Sequence, residues 1–410
     1  MLNSDQLPSK SISRRELGRA VVASVGMSAV APLIDLHRFS PAEVSPAVRA
    51  LQHDENPGSI TDVEGIQVGH FTDTRRPTGC TALLFGPEGA ATGVDFDGSA
   101  PGTYQVSLLQ PVSFVQEIWG IVLSGGSSFG LATAPGVAKF LEEQKIGLKF
   151  GVGLVPLVCG AIIYDLGIGG VTPRPDFEAG YKAAQAAKGG PVQEGNVGAG
   201  AGATVGKMLF LEEIGGMKAG VGTASMRVGD VVIAALMVCN AVGQIQDWKT
   251  GKIIAGARRK DGKGFIDIPT ELQKNPPRWK RDAFAQPTQP GSSHEEILHT
   301  AAMHAGEDPV LGSTTIGVVA TNAIFNKVEM TKITMMANCG AARAINPYHT
   351  PGDGDTLFGC STRRVKTDLD VSVIGSLAAE VVAHAVLRSA TQATSIENWP
   401  AYRDYTAKLA

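Results

Sequence analysis

Two neighbouring hydroxyl residues, Ser313 and Thr314, stand at the start of a predicted strand and are the first candidates for chemistry. The β-branched run at 316–320 is typical of a buried strand, and a long polar passage precedes it. A hydroxyl at the first residue of such a strand is held rigidly and borders a loop that a substrate can reach. Because Ser and Thr are also common at strand starts, local features leave a purely structural role equally open.

A threonine hydroxyl becomes an effective nucleophile only when a base removes its proton. If Thr314 were the first residue of a chain, its own α-amine could do so, because a free amine titrates near ~7.7–8.0. No catalytic histidine would then be needed, and the sequence contains no coherent Ser-His-Asp set. The pattern is compatible with an N-terminal nucleophile.

Five other polar residues could assist such a nucleophile, although each also has a simpler structural explanation. A buried Asn must satisfy both of its amide groups, so it is either a structural hydrogen bonder or an oxyanion donor. Two carboxylates separated by one residue can point the same way before a strand. The five are Tyr164 in an apolar run, Lys207 closing a Gly-rich loop, Asn240 ending an apolar run, and the carboxylates Asp353 and Asp355.

A rival nucleophile is Ser128, in the turn Gly126-Ser-Ser-Phe-Gly130. This turn satisfies G-x-S-x-G, the nucleophile elbow of α/β-hydrolases, and it lies between a predicted strand at 116–123 and a predicted helix at 131–144. The alternative is an ordinary helix entry, in which glycine turns the chain and a serine caps exposed N–H groups. An exported serine esterase using Ser128 is therefore a competing hypothesis.

Length and composition fit a globular protein. With 410 residues the chain can bury a sizeable core in one or two domains. Its hydrophobic share of 43% and charged share of 18% are ordinary, and its net charge of −3 gives no reason to expect nucleic acid or an anionic membrane as a partner. The 50 glycines cluster between apolar runs, which predicts tight turns.

The sequence contains no complete nucleotide or calcium motif. The loop at 196–207 is not a P-loop, because Ala201 stands where the first Gly is required and Met208 where Ser or Thr is required. The loop that begins at Asp353 has Arg364 at the twelfth position, where an EF-hand requires Glu.

The cysteines and histidines predict no metal site. The five cysteines include no CxxC pair, and those inside apolar runs, Cys159 and Cys239, are predicted to be buried free thiols. His70 has no second histidine at metal-ligand spacing and is interpreted as structural. Three later histidines are spaced by five residues, which does not place them on one helical face: His294, His299 and His304. No cofactor is expected.

The N-terminus is typical of a Tat export signal. Arg14 and Arg15 precede an uncharged stretch of small apolar residues at 20–34. This stretch is shorter than the ~20 residues of a transmembrane helix. We therefore predict a signal segment at 1–35, a linker at 36–58, a single catalytic domain at 59–410, and a periplasmic or exported location.

Strands and helices that could position the candidate residues follow one another along the catalytic domain. Between about 243 and 308 the sequence becomes rich in Lys, Arg, Pro and Gly, which predicts a partly disordered polar linker with a helix at 293–304. A mobile arm there would let the Ser313–Thr314 junction open after cleavage. Further strands are predicted at 59–70, 155–166 and 231–238, and further helices at 327–338 and 371–389, followed by a tail near Tyr402.

The string Gly312-Ser-Thr-Thr-Ile-Gly-Val-Val-Ala-Thr-Asn-Ala323 resembles the self-cleaving junction of the P1 (DmpA-type) peptidase family. That family includes D-stereospecific and β-peptidyl aminopeptidases and endo-type nylon-oligomer hydrolases. The resemblance extends over nearly all of the chain from residue 59. It implies a layered αββα sandwich similar to N-terminal-nucleophile hydrolases, a homo-oligomer, a short peptide or amide substrate, and a cut into an α fragment at 59–313 and a β fragment at 314–410.

Similarity to the nylon-oligomer hydrolase branch also implies residue roles. Thr314 matches the nucleophile and Ser313–Thr314 the bond that is cut. Asn240 would donate to the oxyanion, while Lys207 and Tyr164 would lower the pKa of the Thr amine and relay protons. The remaining matches, Asp353 and Asp355, would hold and orient the amine and the hydroxyl.

Several alternatives remain open at this point. Relatives usually have Asn or Gly where this chain has Ser313, and Asp where it has Asn322. A cut after Gly312 would make Ser313 the nucleophile, although the spacing of Thr314 to Asn322 and Asp353 fits the family better. A non-catalytic binding protein that has lost processing is another class. The choice among α-peptide, β-peptide and nylon-like substrates, and between terminal and internal cleavage, is also open.

Overall fold

The computed structural model describes residues 58–209, 215–276 and 312–407. The predicted signal segment at 1–35, the linker up to residue 57 and the helix predicted at 293–304 lie outside these residues. One compact unit includes all of the described residues.

Strands and helices alternate along the described part of the chain. In chain order the strands are β1 Ile66–Asp73, β2 Thr78–Phe85, β3 Ala90–Asp95, β4 Thr103–Tyr104, β5 Glu117–Ile118, β6 Gly120–Ser124, β7 Leu148–Phe150, β8 Gly153–Val155, β9 Val158–Ile162, β10 Thr204–Val205, β11 Met217–Lys218, β12 Val221–Val228, β13 Val231–Asn240, β14 Gln244–Gln246, β15 Ile253–Ala255, β16 Thr314–Ala323, β17 Ile345–Asn346 and β18 Thr356–Val365. The α-helices are α1 Thr133–Glu143, α2 Phe177–Gln185, α3 Ile268–Lys274, α4 Lys327–Ala344, α5 Val371–Thr391 and α6 Tyr402–Ala407.

Two large sheets form the centre of the fold. The first has the strand order β1-β2-β6-β9-β4, and the second has the order β12-β13-β16-β18-β3-β5. Neighbouring strands are antiparallel except for two pairs, β6–β9 and β16–β18, which are parallel. The strand predicted at 316–320 is thus a central strand, with β13 on one side and β18 on the other.

The alternation of side chains along the strands explains why the two sheets stack face to face. On β16, Ile316, Val318 and Ala320 enter one core cluster, together with alternate residues of β13 such as Leu236 and Val238. Alternate residues of the first sheet complete the same cluster, including Leu83, Phe85, Ile121, Leu123, Cys159 and Ala161. The inner faces of both sheets therefore share one apolar layer.

Helices cover the two outer faces. Helices α1 and α2 pack on the first sheet, and α4 and α5 pack together on the second. This is the predicted αββα sandwich, and the prediction is confirmed. Among the described residues, α5 alone has the length and apolar composition to cross a membrane. Its buried residues pack on the second sheet as part of the sandwich.

The polar passage at 243–308 is not a linker throughout. Its described part forms β14, β15 and α3, and Ile245, Ala255 and Ile268 are completely buried. Asp267 caps α3 by accepting a hydrogen bond from the backbone N–H of Thr270. These apolar segments are short and lie among many charged residues, so the local composition does not indicate them.

Two predictions in the last third of the chain, one helix end and one tail, differ from the structure. Helix α4 continues to Ala344, beyond the predicted end at 338, because small apolar residues such as Ala337 and Ala341 extend its buried face. The predicted tail near Tyr402 forms α6, where Tyr405 is buried and its hydroxyl donates to the carbonyl of Gly264.

Candidate functional site

The register of the second sheet places Thr314 beside Asn240. Thr314 is the first residue of β16 and pairs with Asn240, the last residue of the antiparallel strand β13. Both are in phase with core residues that face the first sheet, Ile316 on β16 and Val238 on β13. Their side chains therefore lie on the face of the second sheet that packs against the first sheet, at the point where β13 ends and β16 begins.

Asn240 is the centre of a buried hydrogen-bond network. Its Nδ2 donates to the backbone carbonyls of Tyr164, at 2.9 Å, and Gly312, at 3.2 Å. Its Oδ1 accepts from the backbone N–H of Thr204 at 3.0 Å and from Lys207 Nζ at 3.0 Å. One side chain thus connects the strand end, the Tyr164 loop, the Gly-rich loop and the junction.

Lys207 is a buried amine held against Asn240. Its Nζ also donates to the Asn240 backbone carbonyl at 3.1 Å, and the residue is 8% exposed. Burial lowers the pKa of Lys207 to about 7, and the opposing attraction of Asp353 is weaker. Near neutral pH this amine can therefore change its charge.

Asp355 anchors the start of β16. Its Oδ1 accepts from the backbone N–H of Thr315 at 2.6 Å. Its Oδ2 accepts from the backbone N–H of His349 at 3.2 Å and lies 3.1 Å from His349 Nδ1. The carboxylate is completely buried, so these contacts fix the strand relative to the loop before β18.

Asp353 retains one carboxyl oxygen without a partner. Its Oδ2 accepts from Thr350, from the backbone N–H at 3.0 Å and from the hydroxyl at 2.5 Å. Its Oδ1 is buried and has no hydrogen-bond partner among the described residues. Burial, and then repulsion from Asp355, raise the pKa of Asp353 to about 6. A buried carboxyl oxygen without a partner is available to take a proton.

The Ser313–Thr314 peptide bond is at the centre of these groups. The Thr314 hydroxyl donates to the carbonyl oxygen of Ser313, and the backbone N–H of Gly354 donates to the same oxygen at 3.2 Å. Ser313 is 1% exposed and Thr314 is 4% exposed. In the intact chain the hydroxyl is therefore closed to an external substrate and lies next to a peptide carbonyl of its own backbone.

Tyr164 lies beyond the strand in which it was predicted. Strand β9 ends at Ile162, so Tyr164 belongs to the following loop and is 38% exposed. Its ring packs against Gly312, where an added Cβ would lie 2.5 Å from a ring carbon. Gly312 also has φ +94°, a left-handed conformation that favours glycine. The aromatic ring thus covers the residue that precedes Ser313.

A buried ion pair supports the Tyr164 loop. Arg76 Nη2 and Asp165 Oδ1 are 2.7 Å apart, and both side chains are almost completely buried. Asp165 also accepts from the hydroxyl of Thr78 at 2.6 Å and from the backbone N–H of Gly126 at 2.9 Å. The carboxylate next to Tyr164 is therefore fully paired, and it holds the loop against the first sheet.

All six residues predicted from the sequence lie together, at the strand ends and loops where the two sheets meet. Three further residues of the site are not indicated as such by the sequence. They are His349 and Thr350, which contact Asp355 and Asp353 respectively, and Gly354, which contacts the Ser313 carbonyl. A Thr three residues before an Asp is a weak sign of the turn that joins them. Nothing in the sequence indicated the other two contacts, because both depend on how the loop folds back against β16.

Ser128 is not placed as a nucleophile. Residues Ser127–Ala132 form a 3₁₀ turn after β6, and the positive φ of +55° falls on Ser127 rather than on Ser128. Ser128 is exposed, and the two stacked sheets are not an α/β-hydrolase sheet. The fold therefore contradicts the esterase hypothesis. The turn is a helix entry in which Gly126 turns the chain, as in the alternative, but neither serine side chain caps it.

The remaining candidates have structural surroundings. His70 Nδ1 lies 2.9 Å from the Thr81 hydroxyl, and burial lowers the pKa of His70 to about 4. Cys159 and Cys239 are buried free thiols, as predicted. Within the described residues no cluster of three or more His, Cys, Asp or Glu side chains could hold a metal ion.

Comparisons with known proteins agree with this architecture. The profile of peptidase family S58 matches residues 58–401. An uncharacterized aminopeptidase of Mycobacterium tuberculosis (strain H37Rv) is 36% identical over 369 residues, which cover 84% of this chain and 97% of the relative. A 6-aminohexanoate-oligomer endohydrolase of Kocuria sp. (strain KY2) is 31% identical over 341 residues, covering 80% of this chain and 85% of the relative.

Two solved structures share the fold at low sequence identity. The L-aminopeptidase D-Ala-esterase/amidase of Ochrobactrum anthropi, described as a variant of the Ntn hydrolase fold, has a TM-score of 0.57 at 17% identity and covers 87% of this chain and 93% of its own. A β-aminopeptidase of Burkholderia sp. has a TM-score of 0.55 at 18% identity and covers 87% of this chain and 95% of its own.

Proposed function

Since this chain belongs to peptidase family S58 and is a hydrolase of peptide or amide bonds, we propose that it becomes active by cutting its own backbone between Ser313 and Thr314. The new N-terminal Thr314 is then the nucleophile that attacks the substrate. One observation supports this most directly: the buried Thr314 hydroxyl donates to the Ser313 carbonyl oxygen, at the strand position where Thr314 pairs with Asn240.

Self-cleavage begins with an attack of Thr314 Oγ1 on the carbonyl carbon of Ser313. The hydroxyl proton passes to Asp353 Oδ1, a buried oxygen that accepts no hydrogen bond from the described part of the chain, and the carbonyl electron pair moves to the Ser313 oxygen. When the carbonyl re-forms, the bond to the Thr314 nitrogen breaks, and the nitrogen takes up a proton. Water then hydrolyses the resulting ester, which leaves a Ser313 carboxylate and a free Thr314 with both its amine and its hydroxyl.

The mature enzyme has a base that the precursor lacks, the α-amine of Thr314. A free amine titrates near ~7.7–8.0, and a positive charge on Lys207 lowers its pKa further. Asp353 and Asp355 hold the amine and the hydroxyl in place, and Tyr164 relays protons at the exposed side of the site. One Nδ2 hydrogen of Asn240 becomes free for the substrate oxyanion when Gly312 moves away.

Burial explains why the cut must come first. Thr314 is 4% exposed, and Asn240 and Asp355 are completely buried. A substrate amide can approach Thr314 only after the chain end at Gly312 and Ser313 has left its place under Tyr164. Self-cleavage is thus also the step that opens the site.

The proposed substrates are short peptides or peptide-like oligomers. The relatives include an aminopeptidase and an endohydrolase of 6-aminohexanoate oligomers, whose names indicate terminal and internal cleavage respectively. Incubating the mature enzyme with a tripeptide amide and with a linear 6-aminohexanoate tetramer, and identifying the first products by mass, decides between the two modes. No bound cofactor takes part in any proposed step.

We also propose that the enzyme works outside the cytoplasm, as a homo-oligomer of processed units. The location outside the cytoplasm is supported by the twin arginines, Arg14 and Arg15, which precede an apolar stretch. The homo-oligomer is supported by the family resemblance.

The decisive experiment compares the intact masses and N-terminal sequences of the wild type and three variants. We expect the wild type, Ser313→Ala and Thr314→Ser to give two fragments, the second beginning at residue 314, and Thr314→Ala to remain one chain. Ser313→Ala is the matched control, because it removes the neighbouring hydroxyl and retains Thr314. A fragment beginning at Ser313 would assign the nucleophile to Ser313. An uncut wild-type chain would contradict self-processing altogether.

A further inference from the structure

The carbonyl oxygen of Ser313 has a fixed hydrogen-bond donor that the sequence did not reveal. The backbone N–H of Gly354 donates to it at 3.2 Å, through an isolated parallel bridge between Ser313 and Asp353 just before β16 and β18 begin to pair. Ser313 and Gly354 are both buried. The donor is thus held by a β-bridge next to the second sheet, in a place with little water, before any reaction takes place.

Asn240 is the side chain expected to stabilise an oxyanion, but in the intact chain it donates its hydrogen bonds to other carbonyl groups. Asn240 Nδ2 has two hydrogens, and it donates them in hydrogen bonds to the backbone carbonyls of Tyr164 and Gly312. Neither of these is the carbonyl of the bond to be cut. Self-cleavage at Ser313–Thr314 therefore needs another donor.

We propose that the backbone N–H of Gly354 is the oxyanion donor for self-cleavage, a role separate from that of Asn240 in substrate hydrolysis. This inference rests on the proposed function. When Thr314 Oγ1 bonds to the Ser313 carbonyl carbon, the carbonyl electron pair moves onto the oxygen that Gly354 already contacts. The hydrogen bond strengthens as negative charge develops there, and this favours the transition state over the intact peptide.

The absence of a side chain at Gly354 explains this close approach. An added Cβ would lie 2.4 Å from the Ala100 carbonyl oxygen and 3.1 Å from Thr314 Oγ1. Ala100 also donates its own backbone N–H to the Asp353 carbonyl at 2.9 Å, so the segment before β4 holds Asp353 and Gly354 from the other side. A side-chain substitution at 354 would displace the nucleophile as well as the donor.

The test therefore replaces the donor atom alone. Cell-free synthesis with suppression of a stop codon by glycolic acid changes the N–H of Gly354 to an ester oxygen and leaves its shape nearly unchanged. The matched control is the same change at Gly89, whose N–H donates to the Gly86 carbonyl at 2.9 Å in a turn away from the site. The measurement is the rate at which the fragment beginning at Thr314 appears, followed by mass spectrometry.

Removing one oxyanion donor typically costs about 10²–10³-fold in rate, so we expect self-cleavage of the Gly354 ester to slow by about that factor. The Gly89 ester should cut at nearly the wild-type rate. Melting temperatures of both esters, measured with Thr314→Ala, separate loss of catalysis from loss of folding. Cleavage of the Gly354 ester within threefold of the wild-type rate would overturn this inference alone. An all-amide chain that never cuts itself would overturn both this inference and the proposed function.

Discussion

At the scale of single residues, the site is governed by two buried groups whose charges change near neutral pH. Burial raises the pKa of Asp353 to about 6 and lowers the pKa of Lys207 to about 7. The two shifts share their largest cause, burial, because each neutral form is favoured where water is excluded. Above about pH 6 most Asp353 is a carboxylate that can accept a proton. Lys207 can accept a proton only as the neutral amine, which predominates only above about pH 7.

This difference predicts the pH dependence of self-cleavage. If Asp353 is the base, the rate rises about tenfold per pH unit below pH 6 and levels off above it, since only the carboxylate accepts the proton. The measurement is the rate of fragment formation after refolding from urea between pH 4.5 and 8. A midpoint near pH 7 would instead assign the base to Lys207.

Asp355→Asn gives an independent check of this assignment. Repulsion from Asp355 is the second cause of the raised pKa of Asp353, so its removal should move the midpoint of the profile to lower pH. The rate itself should also fall, because Asn has a single acceptor oxygen and cannot accept from the backbone N–H groups of both Thr315 and His349. A midpoint that does not move would contradict the role of Asp353 as base.

At the scale of elements, helix α4 crosses α5 at glycine–backbone contacts. A Cβ at Gly340 of α4 would lie 1.9 Å from the Ala379 carbonyl oxygen on α5, and backbone cannot move aside cheaply. A Cβ at Gly375 of α5 would instead meet the Met336 side chain, at 2.5 Å from its sulfur, and that side chain is flexible. The two glycines therefore have different tolerance for the same substitution.

We expect Gly340→Ala to destabilise the protein by about 1–3 kcal/mol through overpacking, despite the higher helix propensity of alanine. Gly375→Ala, the matched control, should change stability by less than about 1 kcal/mol, because propensity offsets the displacement of Met336. Urea unfolding of both substitutions in the uncut Thr314→Ala chain measures this. Equal losses of stability would show that the crossing is looser than the contacts indicate.

At the scale of the whole molecule, the proposed cut does not separate the sandwich into two bodies. Strands β16 and β18 belong to the 314–410 fragment, whereas their neighbours β13 and β3 belong to the 59–313 fragment, and all four lie side by side in the second sheet. The shared apolar layer contains residues of both fragments, such as Leu236 and Val318. The two fragments therefore remain parts of one core.

This arrangement predicts that the fragments stay together after self-cleavage. Gel filtration in native buffer should give one species containing both in equal amounts, with the elution volume of the uncut Thr314→Ala chain. The fragments should separate only in denaturant, because separation breaks two strand pairings, β13–β16 and β18–β3, and exposes the apolar layer. Separate elution in native buffer would contradict the continuity of the second sheet.

Elements with strong patterns, and the candidate residues of the junction, can be predicted from the amino-acid sequence alone. The β-branched run at 316–320 identified β16, and the long apolar stretch at 371–389 identified α5, because burial on a sheet leaves a repeating pattern in one segment. The six site residues were selected by residue type together with a family resemblance. Short apolar segments among charged residues, such as Ile253–Ala255, were missed because their pattern is too brief to stand out.

Which side chains come into contact, and which charge each carries, depends on the folded arrangement of the whole chain. Asn240 and Thr314 are 74 positions apart in the sequence, and they become neighbours through strand register. Loops that return to the strand ends place the Gly354 donor at the Ser313 carbonyl and Tyr164 over Gly312. They also bury an Asp353 oxygen that has no hydrogen-bond partner within the described residues. Burial sets the pKa values of Asp353 and Lys207, and burial is a property of the packed layers rather than of any segment of sequence.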